Sequence, residues 1–111
     1  MKMNDISNTI VIQASDNVDL TAICSQIESN NPSILNANVI INLNFYTDLN
    51  NKNLKIFLPI FKNFKKNNKS IVLVCEHVDF NIISDKFPIV PTLQEAYDVI
   101  EMEAIERDLG I

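Results

Sequence analysis

The chain has 111 residues, 47% of them hydrophobic, and a formal net charge of −5. These values predict one globular domain, residues 1–111, and exclude an intrinsically disordered chain. No apolar run is long enough for a membrane span and the start lacks a signal-peptide pattern, so we expect a cytoplasmic protein without membrane contact.

Strand and helix patterns alternate along the first half of the chain. Residues 1–6 are predicted to form a short edge strand, paired in a hairpin with a β-branched strand at residues 9–14. Asp16 is placed to cap the next helix, with Asp19 in its first turn. Apolar residues at helical spacing mark the buried face of this helix: Leu20, Ile23, Cys24 and Ile27.

A second strong strand covers residues 38–43, and a helix is predicted after it. Asn50 or Asn51 can cap this helix, which runs to about Asn67. Its apolar residues cover more than half of the cylinder, which predicts burial on two sides or contact with another subunit. Pro59 lies inside the helix and should bend it.

The remaining elements complete an α/β pattern. Residues 70–75 are predicted to form a strand that is continuously apolar after Ser70, as in a strand buried on both faces. Residues 78–84 are predicted to form a short helical turn, residues 87–90 an edge strand, and the residues after Pro91 a final helix. The order predicts a single mixed sheet of four to five strands covered by about four helices.

Two motifs and the chain ending resemble a known family. The motifs are residues 40–44, Ile-Ile-Asn-Leu-Asn, and residues 50–54, Asn-Asn-Lys-Asn-Leu. The family is that of STAS domains, the fold of anti-anti-sigma factors. Its strand ending in Asp-Leu-Ser corresponds to residues 40–44 of this chain, and its helix start of Asp-Ser-Ser-Gly-Leu corresponds to residues 50–54. Residues 90–96 and 100–110 are similar to the ending of small bacterial STAS-like proteins that often carry the name ribonuclease Z. The resemblance covers nearly the whole chain and implies a STAS-like domain that works through protein contacts.

The chain departs from the STAS pattern at the regulatory positions. Lys52 stands where the family has its phosphorylated serine, and a lysine cannot accept the phosphate that switches partner binding. Asn42 and Asn50 replace the flanking acids, and Asn53 replaces the glycine. We therefore interpret four residues as a degenerate switch loop: Asn50, Asn51, Lys52 and Asn53. Thr47, close by, is an alternative phosphate acceptor, although a polar helix-capping loop explains the same residues.

The nuclease that the name ribonuclease Z denotes is excluded by its metal chemistry. A two-zinc hydrolase of the metallo-β-lactamase type needs several histidine and aspartate ligands, and this chain has one histidine. The single glycine, Gly110, likewise excludes glycine-rich phosphate-binding loops. No nucleophile–base motif or metal-ligand cluster supports catalysis, so we expect a protein that is not an enzyme and binds no cofactor or metal.

The other candidate sites have simpler interpretations. His77 follows Cys75 at the carboxyl end of a strand, where ligands bind in α/β folds, but a surface loop histidine fits equally. Cys24 and Cys75 read as buried, reduced thiols. The lysines between Lys62 and Lys69 suggest nucleic acid, yet the total charge is acidic and the nearby phenylalanines have core spacing, so we do not expect nucleic-acid binding.

The final helix carries apolar residues on two faces. One face is predicted to pack on the sheet and comprises Leu93, Ala96, Tyr97, Ile100 and Ala104. The opposite face carries Met102, Ile105 and Leu109, with Val99 at its edge. This second stripe is either scattered surface residues or a contact surface for another chain.

The favoured hypothesis is a non-catalytic regulatory module of STAS-like type that has lost its phosphoswitch serine. It would act through protein contacts of its helices, with a homodimer or a separate protein as partner. The alternative is an accessory protein of RNA processing that is associated with ribonuclease Z but is not the nuclease.

Overall fold

A parallel β-sheet forms the centre of the computed structural model, which describes residues 9–13, 19–29, 37–47, 49–84 and 87–110. Its four strands lie in the order β1 (Thr9–Gln13), β2 (Asn38–Asn42), β3 (Ile71–Val74) and β4 (Ile89–Val90). The predicted α/β class is therefore confirmed. The strand predicted at residues 1–6, which would have made the sheet mixed, lies outside the described residues.

Helical segments connect and follow the strands. They are α1 (Leu20–Ser29), α2 (Asn51–Leu54), a 3-10 turn (Lys55–Phe57), α3 (Leu58–Lys66) and α4 (Leu93–Asp108). Three of the four predicted helical regions are thus helical. None of the described helices is long and apolar enough to cross a membrane.

The sheet has a hydrophobic core on each face because alternate strand residues point to opposite sides. Val39, Ile41 and Leu73 belong to the larger core, which also holds the buried residues of α1, the 3-10 turn and α3. Ile40 and Val72 belong to the smaller core, which α4 covers. β2 and β3 are buried on both faces. For β3 this confirms the prediction from its apolar sequence.

The start of α1 differs from the prediction in the place of Asp19. Asp19 precedes the helix, and its carboxylate accepts a 3.3 Å hydrogen bond from the Thr21 N–H. Asp19 therefore acts at the N-cap rather than in the first turn, because a capping oxygen must lie outside the helix to reach the free N–H groups. Asp16, the predicted cap, lies outside the described residues.

The helix predicted between Asn50 and Asn67 is divided in two. The 3-10 turn separates α2 from α3, and Pro59 stands in the first turn of α3, where its missing N–H costs no helical hydrogen bond. One face is buried, through Leu54, Phe57, Ile60 and Phe64. Ile56 is 39% exposed, so burial on two sides within the domain is not observed.

Asparagines end α3 and lead the chain into β3. Asn68 has a φ of 59°, and the Lys69 N–H donates to the Phe64 carbonyl at 2.9 Å. This is the left-handed helix end that asparagine tolerates better than most residues. The next residue, Ser70, is buried, and its N–H donates to the Asn38 side chain at 2.9 Å.

The short helix predicted at residues 78–84 is a series of turns in the structure. The Asp79 carboxylate accepts a hydrogen bond from the Asn81 N–H at 2.9 Å, and this local bond competes with a helical ladder. β4 then forms at the edge of the described sheet, as predicted, although it is only two residues long.

Candidate functional site

The degenerate switch loop folds into a capping box at the start of α2. The Asn50 side chain accepts a hydrogen bond from the Asn53 N–H at 2.9 Å, and the Asn53 side chain accepts one from the Asn50 N–H at 3.0 Å. Two N–H groups that a helix start leaves free are therefore satisfied by neighbouring side chains.

Asn51 connects the same loop to the turns after β3. Its side-chain amide donates to the Ile82 carbonyl at 3.1 Å and accepts from the Ser84 N–H at 2.8 Å. Lys52, which the sequence resemblance aligned with a phosphorylated serine, is exposed. Three of the four loop residues thus have structural hydrogen bonds, while the fourth presents a cation to solvent.

Replacing Asn50 by alanine is expected to lower the free energy of unfolding by about 1 kcal/mol, because the helix start loses its capping acceptor. Urea denaturation followed by circular dichroism measures the change. Lys52→Ala is the matched control, since this exposed neighbour makes no capping bond, and it should change stability by less than about 0.5 kcal/mol. Equal stability of the two variants would show that the capping box does not support the fold.

The carboxyl edge of the sheet is also held by asparagines. The Asn42 side chain accepts from the Asn44 N–H at 3.0 Å, and the Asn44 side chain accepts from the Glu76 N–H at 2.8 Å. The first bond is local to the end of β2, and the second joins the ends of β2 and β3. Asn42 therefore shapes a turn, and Thr47, predicted as an alternative phosphate acceptor, is exposed.

His77 and the cysteines do not converge on a reactive centre. His77 is exposed and lies 3.9 Å from the carboxylate of its neighbour Glu76. Cys24 and Cys75 are buried free thiols, as predicted. Within the described residues, no group of three or more histidine, cysteine, aspartate or glutamate side chains could hold a metal ion.

Both thiols are held in their protonated form. Burial, with a smaller effect of Glu28, raises the pKa of Cys24 to about 11. Burial also raises the pKa of Cys75, despite an opposing hydrogen bond from the His77 backbone. A thiolate is the nucleophilic form of cysteine, so these environments disfavour reactivity near neutral pH.

The lysine-rich end of α3 does not form a stacking surface for nucleic-acid bases. Phe57 and Phe64 are fully buried, and Phe61 stacks on Phe57 with ring centroids 5.9 Å apart. The predicted core role of these aromatic residues is confirmed. Lys62, Lys65 and Lys66 are exposed around them.

The sheet-facing side of α4 is fixed by a cap and by core packing. The Thr92 hydroxyl accepts from the Glu95 N–H at 3.2 Å, so the helix begins after Thr92. Ala96 and Ile100 are fully buried against Ile40 and other sheet residues, with Tyr97 and Val99 partly buried beside them.

Two of the predicted assignments on α4 need correction. Leu93, predicted to face the sheet, is 38% exposed, because it lies in the first turn of the helix, immediately beyond the end of β4. Val99, predicted at the edge of the second stripe, packs against the smaller core. Ala104, on the predicted sheet face, is partly buried.

The opposite side of α4 carries three exposed apolar side chains. Met102, Ile105 and Leu109 are 58%, 53% and 68% exposed. They follow one another at helical spacing, and we call these three residues the outer face. Glu101, Glu106 and Asp108 are exposed on the same part of the helix. The outer face is therefore an apolar strip with an acidic surround.

A polar link that the sequence did not reveal lies between α4 and the start of β3. The Ser70 hydroxyl donates to the Glu103 carboxylate at 2.5 Å, and Arg107 Nη1 donates to the Ser70 oxygen at 3.3 Å. The spacing of Glu103 and Arg107, four residues apart on one helix, was the available signal. Their shared contact with Ser70 depends on the fold.

The fold and these sites define a small α/β protein with a parallel sheet covered on both faces. Comparison with protein-family models, curated proteins and solved structures finds no match. The function must therefore be argued from the surfaces of the molecule itself.

Proposed function

We propose that this chain is a non-catalytic protein-interaction module of STAS-like type that binds a protein partner through the outer face of α4. The carrying observation is the exposure of Met102, Ile105 and Leu109 on a helix whose other side is anchored in the core. Apolar residues at positions i, i+3 and i+7 are the usual anchors of helix-mediated recognition. A rigid support reduces the ordering cost of binding.

The charges around the outer face indicate the chemistry of the partner. Glu101, Glu106 and Asp108 are exposed there, and Arg107 is the only cation in the last turn of α4. Pairing two copies of α4 through this face would bring acidic side chains together, which is unfavourable. We therefore propose a partner segment that combines apolar anchors with basic residues, in preference to a second copy of this chain.

The lost switch serine supports a constitutive interaction. Lys52 cannot be phosphorylated in the manner of the STAS serine, and Asn50, Asn51 and Asn53 are committed to hydrogen bonds that hold the loop. Regulation by a charge change at this loop would have to break those bonds. We therefore propose that the α4 interaction does not depend on the switch loop.

A synthetic amphipathic helix of leucine and lysine is a suitable probe. Calorimetric titration should detect binding to the parent protein, and Met102→Ala with Ile105→Ala should weaken it about tenfold, since truncated anchors lose buried apolar contact. A matched helix of leucine and glutamate should bind less tightly, because its charge opposes that of the acidic surround.

Light scattering of the parent protein separates the two kinds of partner. A monomer over the working concentration range is expected. If the parent protein is a dimer and the Met102→Asp, Ile105→Asp variant is a monomer, the partner of the outer face is a second copy of this chain and not a basic segment. Unchanged binding of the leucine–lysine helix to the alanine variant would reject the outer face as a contact surface.

A further inference from the structure

A groove of about 660 Å³ opens beside the outer face, at the amino end of the sheet. Its walls come from the end of α3, the turn into β3, Pro88 before β4, and the second half of α4. Lys65 and Lys69, from the lysine cluster that the sequence shows, line it. Ser70, Glu103 and Arg107 also line it and are joined by hydrogen bonds.

Arg107 is only partly satisfied within this groove. Its Nη1 donates to the Ser70 hydroxyl at 3.3 Å, whereas Nη2 is buried and has no hydrogen-bond acceptor among the described residues. A buried, unused donor on a charged group is costly, and a guanidinium presents its N–H groups in a fork that fits two oxygens of one anion. Nη2 itself has almost no accessible surface, so an oxyanion in the groove accepts from it only after a small side-chain movement, whereas the positive charge of the guanidinium acts on the groove without that movement.

The charge in the groove is positive overall, although acids are present. Lys65, Lys69 and Arg107 line it together with Glu103 and Glu106. Glu103 is engaged by the Ser70 hydroxyl at 2.5 Å, so one of its oxygens already has a donor. The three cations exceed the two carboxylates by one charge, which suits a ligand with a small negative charge.

The other walls of the groove are apolar. Phe61, Phe64, Pro88 and Val99 contribute to them. A hydrated inorganic ion would gain nothing from these walls, whereas an organic anion could bury its apolar part against them. The cationic and the apolar walls together favour a ligand with an anionic head and an apolar body.

We propose that the groove binds a small organic oxyanion, with Arg107 as its anchor and Lys65 and Lys69 as supporting cations. The anionic group is a carboxylate or a phosphate monoester, since both offer the paired oxygens that a guanidinium binds. This site is separate from the proposed protein contact of α4, because the outer-face residues Met102, Ile105 and Leu109 do not line it.

NMR titration of the nitrogen-15-labelled protein with phenylacetate, phenyl phosphate and inorganic phosphate tests the proposal. Saturable shifts are expected at Ser70, Ile71, Val99 and Arg107 for at least one of the aromatic anions, with weaker binding of inorganic phosphate. The two aromatic probes distinguish carboxylate from phosphate recognition. Benzyl alcohol, which lacks the anionic head, should bind at least about tenfold more weakly.

Variants assign the binding to the groove. Arg107→Gln should weaken the tighter probe about tenfold or more, and Arg107→Lys should weaken it severalfold because the charge remains while the fork is lost. Lys65→Gln should also weaken binding, whereas Lys66→Gln is the matched control, since this neighbouring lysine does not line the groove. Met102→Asp should leave the affinity unchanged, which separates this site from the outer face.

Several results would overturn the proposal. They are shifts that do not saturate, shifts that centre on Lys62 and Lys66, and equal affinity of Arg107→Lys and the parent. The Arg107→Lys comparison keeps the test decisive if Arg107→Gln proves poorly folded, as its own amide spectrum would reveal.

Discussion

Replacing Phe57 by alanine is expected to lower the free energy of unfolding by about 3–5 kcal/mol, a large share of the stability of a typical domain. Phe57 is fully buried in the larger core and stacks on Phe61. It lies in the 3-10 turn between α2 and α3, and we expect the hydrogen-bonded elements on either side to close only partly around the lost ring. The cavity therefore adds to the lost apolar transfer energy.

Ile56→Ala is the matched control for Phe57→Ala. This neighbour stands in the same 3-10 turn but is 39% exposed, so its truncation should cost about 1 kcal/mol or less. Urea denaturation curves with equal slopes would give both values. Similar losses for the two variants would contradict the one-sided burial of this helical region.

Replacing Ile100 by alanine is expected to cost about 2–5 kcal/mol, because this residue anchors α4 in the smaller core. Ile100 is fully buried with Ala96, Ile40 and Val72. The smaller core contains few large side chains, so one truncation removes much of the apolar contact that holds α4 on the sheet. Chemical denaturation gives the change in unfolding free energy, and loss of helical circular dichroism at low denaturant would report detachment of α4.

The same substitution at Ile105 provides an internal control. Ile105 is on the same helix, has the same side chain and is 53% exposed, so Ile105→Ala should change stability by only about 0.5 kcal/mol. A loss at position 105 equal to that at position 100 would mean that the outer face is buried within the protein. It would then not be available to a partner.

Periodicity in the sequence was sufficient to predict the main layers of the fold. The unbroken apolar run that follows Ser70 predicted a strand buried on both faces, and β3 is one. The spacing of Phe57 and Phe64 likewise predicted their core role. Such patterns succeed because burial on a helix or strand is governed by the local repeat of the chain.

Contacts between distant segments account for what the sequence did not predict. The turns at residues 78–84 are held by Asn51, which bonds the Ile82 carbonyl across 31 residues. The link between Ser70 and Arg107 spans 37 residues. Neither contact is marked by a pattern in the nearby sequence, because each depends on how separate elements pack together.

The candidate site was predicted unevenly for the same reason. Helical spacing alone identified Met102, Ile105 and Leu109 as an outward strip, and all three are exposed. Val99 was assigned to that strip, but it packs against the smaller core, since the sheet-facing side of α4 is wider than one row of residues. The limits of a buried face depend on the partner layer, which sequence spacing does not specify.

The central claim is that the outer face of α4 binds a partner through apolar anchors. The most direct test is the affinity of the leucine–lysine helix for the Met102→Asp, Ile105→Asp variant at low ionic strength. We expect binding about tenfold weaker than for the parent, because burying aspartates against leucines is costly. The control variant Phe45→Asp, Ile82→Asp adds the same charge at other exposed apolar positions and should bind at least as tightly as the parent. Tighter or equal binding by the Met102→Asp, Ile105→Asp variant would mean that charge alone attracts the helix, and would contradict the claim.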